Sequence, residues 1–318
     1  MVITVIDIGM LGDMLNRDEL RKLGDVRELS SPDVMKVGPV EALKDTEVVL
    51  GGFRFLTPEV MDQLPNLKLV VIPATGFNAF DIEHARKCGI SVANNPDYGT
   101  QPVAQHAIAL LLYLTNQIAY YNDAIRSGDF MKTMKGIMGE APLMELANKT
   151  LGVIGFGRIG RNVGKMAAGL GMKVIAYDIF ENDEGRKIAE YTTLDDLLAR
   201  SDVVSLNCPS TKENRHIINA GTIAKMKDGA ILINDARGDL VDEQALADAL
   251  KSGKIRGAGL DVVEKEPFGP ENPLFDAPNC VVTPHIAWSP VESRQRMADA
   301  MIDTVRAFVN GTPINIVN

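Results

Sequence analysis

The sequence predicts an α/β protein of two domains, each built around a parallel β-sheet. Short β-branched runs alternate with helical stretches from end to end, a pattern typical of parallel sheets and not of sandwiches or helix bundles. The chain has 318 residues, which is about twice the usual length of a single domain. Because 46% of these residues are hydrophobic, two substantial cores can form.

The predicted elements fall into two series along the chain. In the first series, apolar β-branched runs predict strands at Val2–Ile6, Glu47–Leu50 and Leu69–Ile72. Helical spacing of apolar residues predicts helices at Pro58–Gln63 and Ile82–Cys88.

The second series is longer and carries most of the motifs. Its predicted strands are Thr150–Ile154, Lys173–Tyr177, Asp202–Leu206, Ala230–Ile233, Ala258–Asp261 and Cys280–Thr283. Its predicted helices are Arg161–Leu170, Asp195–Arg200 and Glu243–Ser252.

Two long predicted helices, Gln101–Ala119 and Pro290–Val309, lie where one series gives way to the other. They indicate crossovers, so the end of the chain returns to the first domain. We therefore expect one domain at residues 1–100 and 286–318, and a second at residues 101–285. The stretch 121–148 has weak periodicity, and we expect a functional loop or an interface arm there.

Composition and charge exclude several classes of protein. With 42 acidic and 33 basic residues the formal charge is −9, which repels phosphate backbones and anionic lipids. The longest apolar run, Ala107–Leu114, is far shorter than the ~20 residues of a membrane-spanning helix. Cys88, Cys208 and Cys280 have no spacing typical of disulfide frameworks or zinc sites. We expect a cytoplasmic protein without nucleic-acid or membrane partners and without a bound metal.

A glycine-rich motif follows the first strand of the second series. Gly155, Gly157 and Gly160, with Arg158 and Ile159 between them, match G-x-G-x-x-G. An apolar strand precedes the motif and a helix opens on it, which is the context of a dinucleotide-binding turn. The helix amino terminus would then bind the pyrophosphate. The alternative is a glycine-rich turn that binds nothing.

Asp178 ends the next strand, 18 residues after Gly160. An acidic side chain there accepts the ribose hydroxyl groups of adenosine and repels a 2′-phosphate. Ile179 and Phe180 follow it and offer no cation for such a phosphate. The sequence therefore predicts NAD and not NADP, unless Asp178 is only a solvated acid at a strand end.

Arg237, Glu266 and His285 each follow a predicted strand of the second series. The carboxyl ends of parallel strands share one edge of a sheet, so these side chains should converge near the dinucleotide. Histidine, with an ordinary pKa near ~6.5, can deliver a proton to a ketone oxygen; a carboxylate favours its protonated form, and a guanidinium binds a substrate carboxylate. The set predicts a 2-keto acid reductase. Each residue taken alone could instead be an ordinary loop residue.

Four segments together resemble the D-isomer-specific 2-hydroxyacid dehydrogenases. They are 151–160, Asn-Asp-Ala-Arg-Gly at 234–238, Gly-Leu-Asp-Val-Val-Glu-Lys-Glu-Pro at 259–267, and Thr-Pro-His-Ile-Ala-Trp at 283–288. The resemblance covers the whole chain. It implies two Rossmann or flavodoxin-like domains, a substrate domain built from both termini, and a homodimer formed through the NAD-binding domain. It also implies Arg237, Glu266 and His285 as the catalytic residues.

The same resemblance implies further site residues. For the cofactor these are Thr75, Cys208, Pro209, Asp235, Ala236 and Asp261. For the substrate they are Gly76, Phe77, Tyr98 and Trp288. Cys208 could equally be a buried thiol at a strand end, and Trp288 could be a packing residue.

Within the family, the loop from Ala74 to Asn78 is most similar to glycerate dehydrogenases, which are also hydroxypyruvate reductases. D-lactate-type and branched-chain dehydrogenases, and an NAD-sensing protein similar to the corepressors of the family, remain alternatives. The sequence departs from the family at Asp235, where a small or apolar residue is usual, and at 130–139, which lacks tryptophan. For His84, His106 and His216 we expect structural roles.

Overall fold

A computed structural model describes residues 1–77 and 80–318 of the chain. These residues form two compact units. Unit 1 comprises Met1–Gly99 and Trp288–Asn318, and unit 2 comprises Thr100–Ala287. Both ends of the chain therefore belong to unit 1.

Strands and helices alternate along both units. The strands are β1 (Val2–Ile6), β2 (Asp25–Leu29), β3 (Val48–Gly51), β4 (Leu69–Val71), β5 (Ser91–Ala93), β6 (Thr150–Ile154), β7 (Lys173–Tyr177), β8 (Glu190–Tyr191), β9 (Val203–Leu206), β10 (Ala230–Asn234), β11 (Ile255–Leu260) and β12 (Cys280–Val282). The α-helices are α1 (Arg17–Arg21), α2 (Ser31–Val37), α3 (Pro39–Leu43), α4 (Pro58–Met61), α5 (Ile82–Lys87), α6 (Thr100–Asn116), α7 (Ile118–Arg126), α8 (Phe130–Lys135), α9 (Arg158–Gly169), α10 (Asp183–Arg186), α11 (Leu194–Arg200), α12 (Ala220–Lys225), α13 (Glu243–Ser252) and α14 (Val291–Val309).

Unit 1 is built on a five-stranded sheet in the order β2-β1-β3-β4-β5, with every neighbouring pair parallel. Strands β3 and β4 are buried along their whole length because apolar clusters cover both faces of the sheet. Helix α14 contributes Met301 and Val305 to one of these clusters. The last segment of the chain therefore completes the core of unit 1.

Unit 2 is built on a seven-stranded parallel sheet in the order β12-β11-β10-β9-β6-β7-β8. The chain runs outwards from β6 in one direction through β7 and β8, and then in the other direction from β9 to β12. Strands β6 and β9 are therefore neighbours at the point where the strand order reverses. Ligands of open α/β sheets bind outside the carboxyl ends of strands at such a point. The two parallel sheets confirm the predicted fold class.

The predicted helix at Gln101–Ala119 is confirmed as far as Asn116, and a break at Gln117 separates its last two residues from it. Helix α6 ends at Asn116, and Gln117 has a left-handed backbone with φ 48°. The Gln117 side chain donates to the carbonyl oxygen of Leu114, which satisfies an acceptor at the end of α6. The apolar pattern continues across the break, so periodicity alone does not reveal it.

The stretch 121–148, for which the weak periodicity predicts a functional loop or an interface arm, contains helical structure. Helix α7 extends to Arg126, Asp129 caps α8 through the N–H of Lys132, and a π-helical turn spans Gly136–Glu140. Strands β5 and β8 were not predicted because they have only three and two residues. Strand β2 was not predicted because it carries charged residues and lies at an edge of the sheet. In the described part of the chain, no helix combines the length and apolar character needed to cross a bilayer.

Candidate active site

The glycine-rich turn between β6 and α9 is held by close backbone packing. Gly155 has φ +86°, and a Cβ there would lie 2.5 Å from the backbone nitrogen of Cys208, at the end of β9. A Cβ on Gly160 would lie 2.1 Å from the carbonyl oxygen of Gly155. Both positions therefore require glycine for the packing of the turn itself.

Gly157 differs from these two glycines, because a Cβ there would meet nothing within 4 Å among the described residues. Gly157 is the N-cap residue of α9, and no side chain of the described residues accepts a capping hydrogen bond from the first N–H groups of this helix. The space above it is open, and the helix amino terminus behind it carries a partial positive charge. Arg158 and Ile159 form the first turn of that helix. The turn thus has the room and the polarity for a pyrophosphate.

Asp178 lies directly after β7, beside the same turn. Its Oδ2 accepts a hydrogen bond from the N–H of Phe156 (2.6 Å), and its Oδ1 accepts one from the N–H of Phe180 (2.9 Å). These contacts fix the carboxylate at the carboxyl edge of the sheet. Ile179 and Phe180 are both exposed.

Cys208 and Pro209 follow β9 on the other side of the turn. Burial raises the pKa of the Cys208 thiol to about 11, so the thiol stays neutral. Its side chain packs against the core of unit 2, and Asn214 donates to the carbonyl oxygen of Pro209 (2.8 Å). These contacts agree with the interpretation of Cys208 as a buried thiol, and its contact with the cofactor stays a prediction.

Arg237 lies in a loop at the end of β10 that is shaped by Asn234. The Asn234 side chain accepts from the N–H of Ala236 (3.0 Å) and donates to the carbonyl oxygen of Arg237 (2.8 Å). A Cβ on Gly238 would lie 1.9 Å from the carbonyl carbon of Val263, so only glycine lets the loop approach the segment after β11. The Arg237 guanidinium donates to the carbonyl oxygen of Ala236 (2.6 Å).

His285 and Glu266, which are predicted to act together, are paired. Nδ1 of His285 lies 3.0 Å from Oε2 of Glu266. The two side chains are 45% and 41% exposed, so ligands can reach them. His285 has φ +54°, an uncommon backbone conformation for a residue other than glycine. Its N–H donates to the carbonyl oxygen of Asp261 (2.8 Å), which holds the turn.

Asp261 organises this turn through its side chain as well. Its buried carboxylate accepts hydrogen bonds from the hydroxyl of Thr283 (2.6 Å) and from the N–H groups of Ile286 (2.9 Å) and Ala287 (2.8 Å). His106 on α6 contacts the Thr283 hydroxyl through Nε2 (3.0 Å), as its predicted structural role requires. Asp261 is therefore the scaffold of the His285 turn, and its contact with the cofactor stays a prediction.

A cavity of about 510 Å³ adjoins the His285–Glu266 pair. Its walls combine these two polar side chains with apolar ones, which include Val263, Phe268 and Val282. Pockets of this size and character bind small molecules.

The predicted site residues of unit 1 other than Trp288 lie in two loops that are bonded to each other, one after β4 and one after β5. Thr75 donates through Oγ1 to the carbonyl oxygen of Asn95 (3.0 Å), and Asn94 donates to the carbonyl oxygen of Thr75 (2.8 Å). Gly76 and Phe77 follow on this fixed backbone, whereas Asn78 lies outside the described residues.

Tyr98 and Trp288 make an edge-to-face contact, with ring centroids 6.5 Å apart, against the core of unit 1. Packing thus accounts for the position of Trp288.

His84 and His216, predicted to have structural roles, are paired with acids. Nε2 of His216 lies 3.4 Å from Oε2 of Glu264. Nε2 of His84 lies 2.9 Å from Oδ1 of Asp62, and Cys88 donates its thiol to the same oxygen. The ligand-type atoms of Asp62, His84 and Cys88 lie within 4.8 Å of one another, a grouping that sequence spacing did not reveal. The contacts of His84 and Cys88 with Asp62 explain why these three side chains lie together.

Comparison with known proteins identifies the family of this chain. Residues 108–287 match the model of the D-isomer specific 2-hydroxyacid dehydrogenase NAD-binding domain. The chain belongs to the D-2-hydroxyacid dehydrogenases. The predicted resemblance is therefore confirmed, and with it the enzyme class and NAD as the cofactor.

Relatives of this dehydrogenase match over nearly its whole length. It is 44% identical over 280 residues to the hydroxypyruvate reductase of Blautia hydrogenotrophica, and the aligned residues cover 88% of this chain and 87% of that one. It is 41% identical over 280 residues to the glycerate dehydrogenase of Methylorubrum extorquens, which covers 87% of both chains. The D-lactate dehydrogenase of Aquifex aeolicus, solved with NAD and lactic acid, superposes with a TM-score of 0.86 at 34% identity and covers 99% of this chain and 98% of that one.

The residues of this dehydrogenase fit NAD. The open space above Gly157 leaves room for the pyrophosphate at the amino terminus of α9. Asp178 presents a fixed carboxylate for the adenosine ribose. Sequence reasoning found these residues because they are close together in the chain. It missed Thr283 and Asn234, whose side chains shape the catalytic loops and carry no sequence signature of that role.

Proposed function

We propose that this dehydrogenase reduces hydroxypyruvate to D-glycerate with NADH as its physiological reaction. The observation that carries the chemistry is the 3.0 Å contact between Nδ1 of His285 and Glu266 beside a cavity of ligand size. The choice of substrate is supported by relatives at 44% and 41% identity that are named hydroxypyruvate reductase and glycerate dehydrogenase. Other relatives are named glyoxylate reductase or D-lactate dehydrogenase, which are the alternatives to exclude.

The proposed mechanism assigns one task to each catalytic residue. NADH supplies the hydride. Arg237 binds the carboxylate of the keto acid through two parallel N–H donors. His285 presents Nε2 to the ketone oxygen and gives it a proton as the alcohol forms. Glu266 bonds to Nδ1, which leaves Nε2 for the substrate, and its charge stabilises the protonated ring.

Unit 2 is the NAD-binding domain in this proposal, and unit 1 is the substrate domain. Gly76 and Phe77 would offer backbone N–H groups to the substrate carboxylate. The hydrogen bonds of Asn94 and Asn95 to the Thr75 segment support this assignment, because a fixed backbone can place N–H donors accurately. Asp235, Ala236 and Asp261 would lie at the nicotinamide end of the cofactor.

The substrate assignment predicts that kcat/KM for hydroxypyruvate exceeds that for pyruvate by about tenfold or more, because one additional hydrogen bond contributes about 1–1.5 kcal/mol net. The measurement is a panel of NADH-oxidation rates with hydroxypyruvate, glyoxylate, pyruvate and branched 2-keto acids. Formation of D-glycerate is checked by chiral analysis of the product. A higher kcat/KM for pyruvate or a branched keto acid would show that the subgroup is wrong while the enzyme class stands.

We also propose a cytoplasmic homodimer formed through unit 2. The exposed apolar side chains of the segment 130–138 support the dimer: Phe130 is 69% exposed and Met138 is 80% exposed. The free thiols of Cys88, Cys208 and Cys280 are the state that a reducing compartment maintains.

The dimer predicts that Met138→Glu lowers the mass measured by light scattering from two chains to one at micromolar concentration, because a charge would be buried in the interface. Met35→Glu is the matched control, since Met35 is an exposed methionine of unit 1. A dimer that survives Met138→Glu and Phe130→Glu together would place the interface elsewhere.

A further inference from the structure

The carboxyl group of Asp235 is buried and has no hydrogen-bond partner among the described residues. Asp235 directly follows β10, two residues before Arg237. Both of its carboxyl oxygens are inaccessible to solvent and make no hydrogen bond with any described residue. The side chain of the neighbouring Asn234 is bonded instead to Ala236 and Arg237. A buried polar group without a partner is costly, and a bound ligand is one of the few explanations for it.

A second orphan atom lies on the adjacent strand. Asn207 follows β9 as Asp235 follows β10, and the two strands are paired in register up to Leu206 and Asn234. The Asn207 amide donates to Ser205 (2.9 Å), but its buried Oδ1 accepts nothing from the described residues. Adjacent strand ends thus present three unsatisfied oxygens at the carboxyl edge of the sheet, where the catalytic loops begin.

The charges around Asp235 favour its acid form. Burial, together with the negative charge of Asp261 at the end of β11, raises the pKa of Asp235 well above its usual range. Asp261 accepts hydrogen bonds from three donors, whereas Asp235 accepts none from the described residues. Other ionisable groups on the surrounding elements are His106 on α6, which is 3.6 Å from Asp261, and Cys208 after β9, whose thiol is neutral. Arg237, on the loop of Asp235 itself, is bonded to Ala236.

We propose that Asp235, with Asn207, is a positioning residue for the nicotinamide end of the cofactor, as an undissociated acid beside the reduced ring and as a carboxylate beside the oxidised, cationic ring. Hydride transfer must occur near Arg237 and His285. Asp235 is two residues from Arg237 in the chain, and its carboxyl group is close enough to Asp261, which holds the His285 turn, for the charge of Asp261 to act on it. In going from the reduced to the oxidised complex, the O–H bond of Asp235 breaks and its proton passes to solvent. No electron moves to or from Asp235.

If Asp235 has this role, the preference of the protein between NAD⁺ and NADH depends on pH. As pH rises, the Asp235 carboxylate forms and attracts the cationic ring, so the ratio Kd(NAD⁺)/Kd(NADH) should fall. Asp235→Asn keeps the shape and polarity of the acid but cannot ionise. Between pH 6 and 9 we expect this ratio to fall by about tenfold more in the native protein than in Asp235→Asn, which corresponds to a shift of about one pKa unit between the two complexes.

The test measures binding without a keto acid, so it is independent of the proposed substrate. NADH binding is followed by its fluorescence and NAD⁺ binding by calorimetry in buffers of different ionisation enthalpy, which also counts protons released. We expect NAD⁺ to release more protons from the native protein than from Asp235→Asn. Asp248→Asn, an exposed aspartate on α13, is the charge-matched control and should behave as native.

Unfolding without cofactor tests the acid form separately. Burial raises the pKa of Asp235 in the folded protein, so protonation of this residue stabilises the folded state fully at pH values below the ordinary pKa of aspartate. This contribution to the free energy of unfolding is lost as pH rises through the raised pKa. Asp235→Asn should therefore gain stability relative to native with rising pH, and Asp235→Ser replaces it if the amide does not fold. If the difference in free energy of unfolding between the native protein and the variant stays constant from pH 5 to 9, Asp235 is not a buried acid. Equal pH dependence of the NAD⁺/NADH ratio in native and variant would overturn its role at the cofactor.

Discussion

Replacing His285 with alanine is expected to lower the rate of keto acid reduction by about 10²–10⁴, the usual contribution of a positioned general acid. The imidazole is the group that donates the proton in the proposed mechanism, and alanine leaves water as the only donor. NADH affinity should stay within about twofold, because the groups proposed to bind the pyrophosphate and the adenosine ribose follow β6 and β7, whereas His285 follows the edge strand β12. The measurements are single-turnover reduction rates and NADH fluorescence titrations.

The chain offers a matched control for this variant. His216 is also paired with a glutamate, at 3.4 Å from Glu264, and lies in unit 2. His216→Ala should therefore leave the reduction rate nearly unchanged. If His285→Ala lowers the rate no more than His216→Ala does, another residue must donate the proton and the proposed mechanism fails.

Glu266→Gln separates the charge of Glu266 from its hydrogen bond. Glutamine retains an oxygen that can accept from Nδ1 of His285 but no longer stabilises the protonated ring by charge. In keto acid reduction the ring gives up its proton, so we expect Glu266→Gln to lower the single-turnover reduction rate by about tenfold, the effect of about 1.4 kcal/mol. Glu264→Gln is the control and should keep the native rate. A native rate in Glu266→Gln would limit Glu266 to orienting the ring.

Those parts of the site that are contiguous in the chain were predictable, since the strand, the three glycines and Asp178 form one local unit. The roles of Gly155 and Gly160 follow from backbone packing that any such turn requires. The convergence of Glu266 and His285 was also predictable, because parallel strands bring their carboxyl ends to one edge. Their 3.0 Å contact confirms that the sheet places them together.

The remaining features depend on contacts between distant segments. Asp261 fixes the His285 turn through Thr283, Ile286 and Ala287, and no local pattern shows that its carboxylate is buried. The left-handed residue Gln117 divides a continuous apolar pattern because its side chain can satisfy the end of α6. For Asp235, the family resemblance implied a cofactor contact and the residue type departed from the family, but nothing in the sequence indicated that its carboxyl oxygens are buried without a partner among the described residues. Its burial became visible once β9, β10 and β11 were in register.

Asp178 is expected to make the enzyme prefer NADH to NADPH by at least about a hundredfold in kcat/KM. The additional 2′-phosphate would lie at hydrogen-bond distance from the Asp178 carboxylate, and two unit charges 4 Å apart repel by about 4 kcal/mol near a protein surface. Even about two-thirds of that energy gives a factor of about a hundred. The carboxylate cannot easily turn away, because the N–H groups of Phe156 and Phe180 bind its two oxygens.

Two variants isolate this effect. Asp178→Asn removes the charge while keeping an acceptor, so NADPH use should rise by about tenfold or more relative to NADH. Asp183→Asn is the control, because this nearby aspartate in α10 is almost fully exposed and should leave the preference unchanged. Initial rates with each cofactor at saturating hydroxypyruvate give the ratio directly. Equal use of NADPH and NADH by the native protein would show that Asp178 does not face the 2′ position, because an unscreened carboxylate at that distance cannot be neutral toward a phosphate.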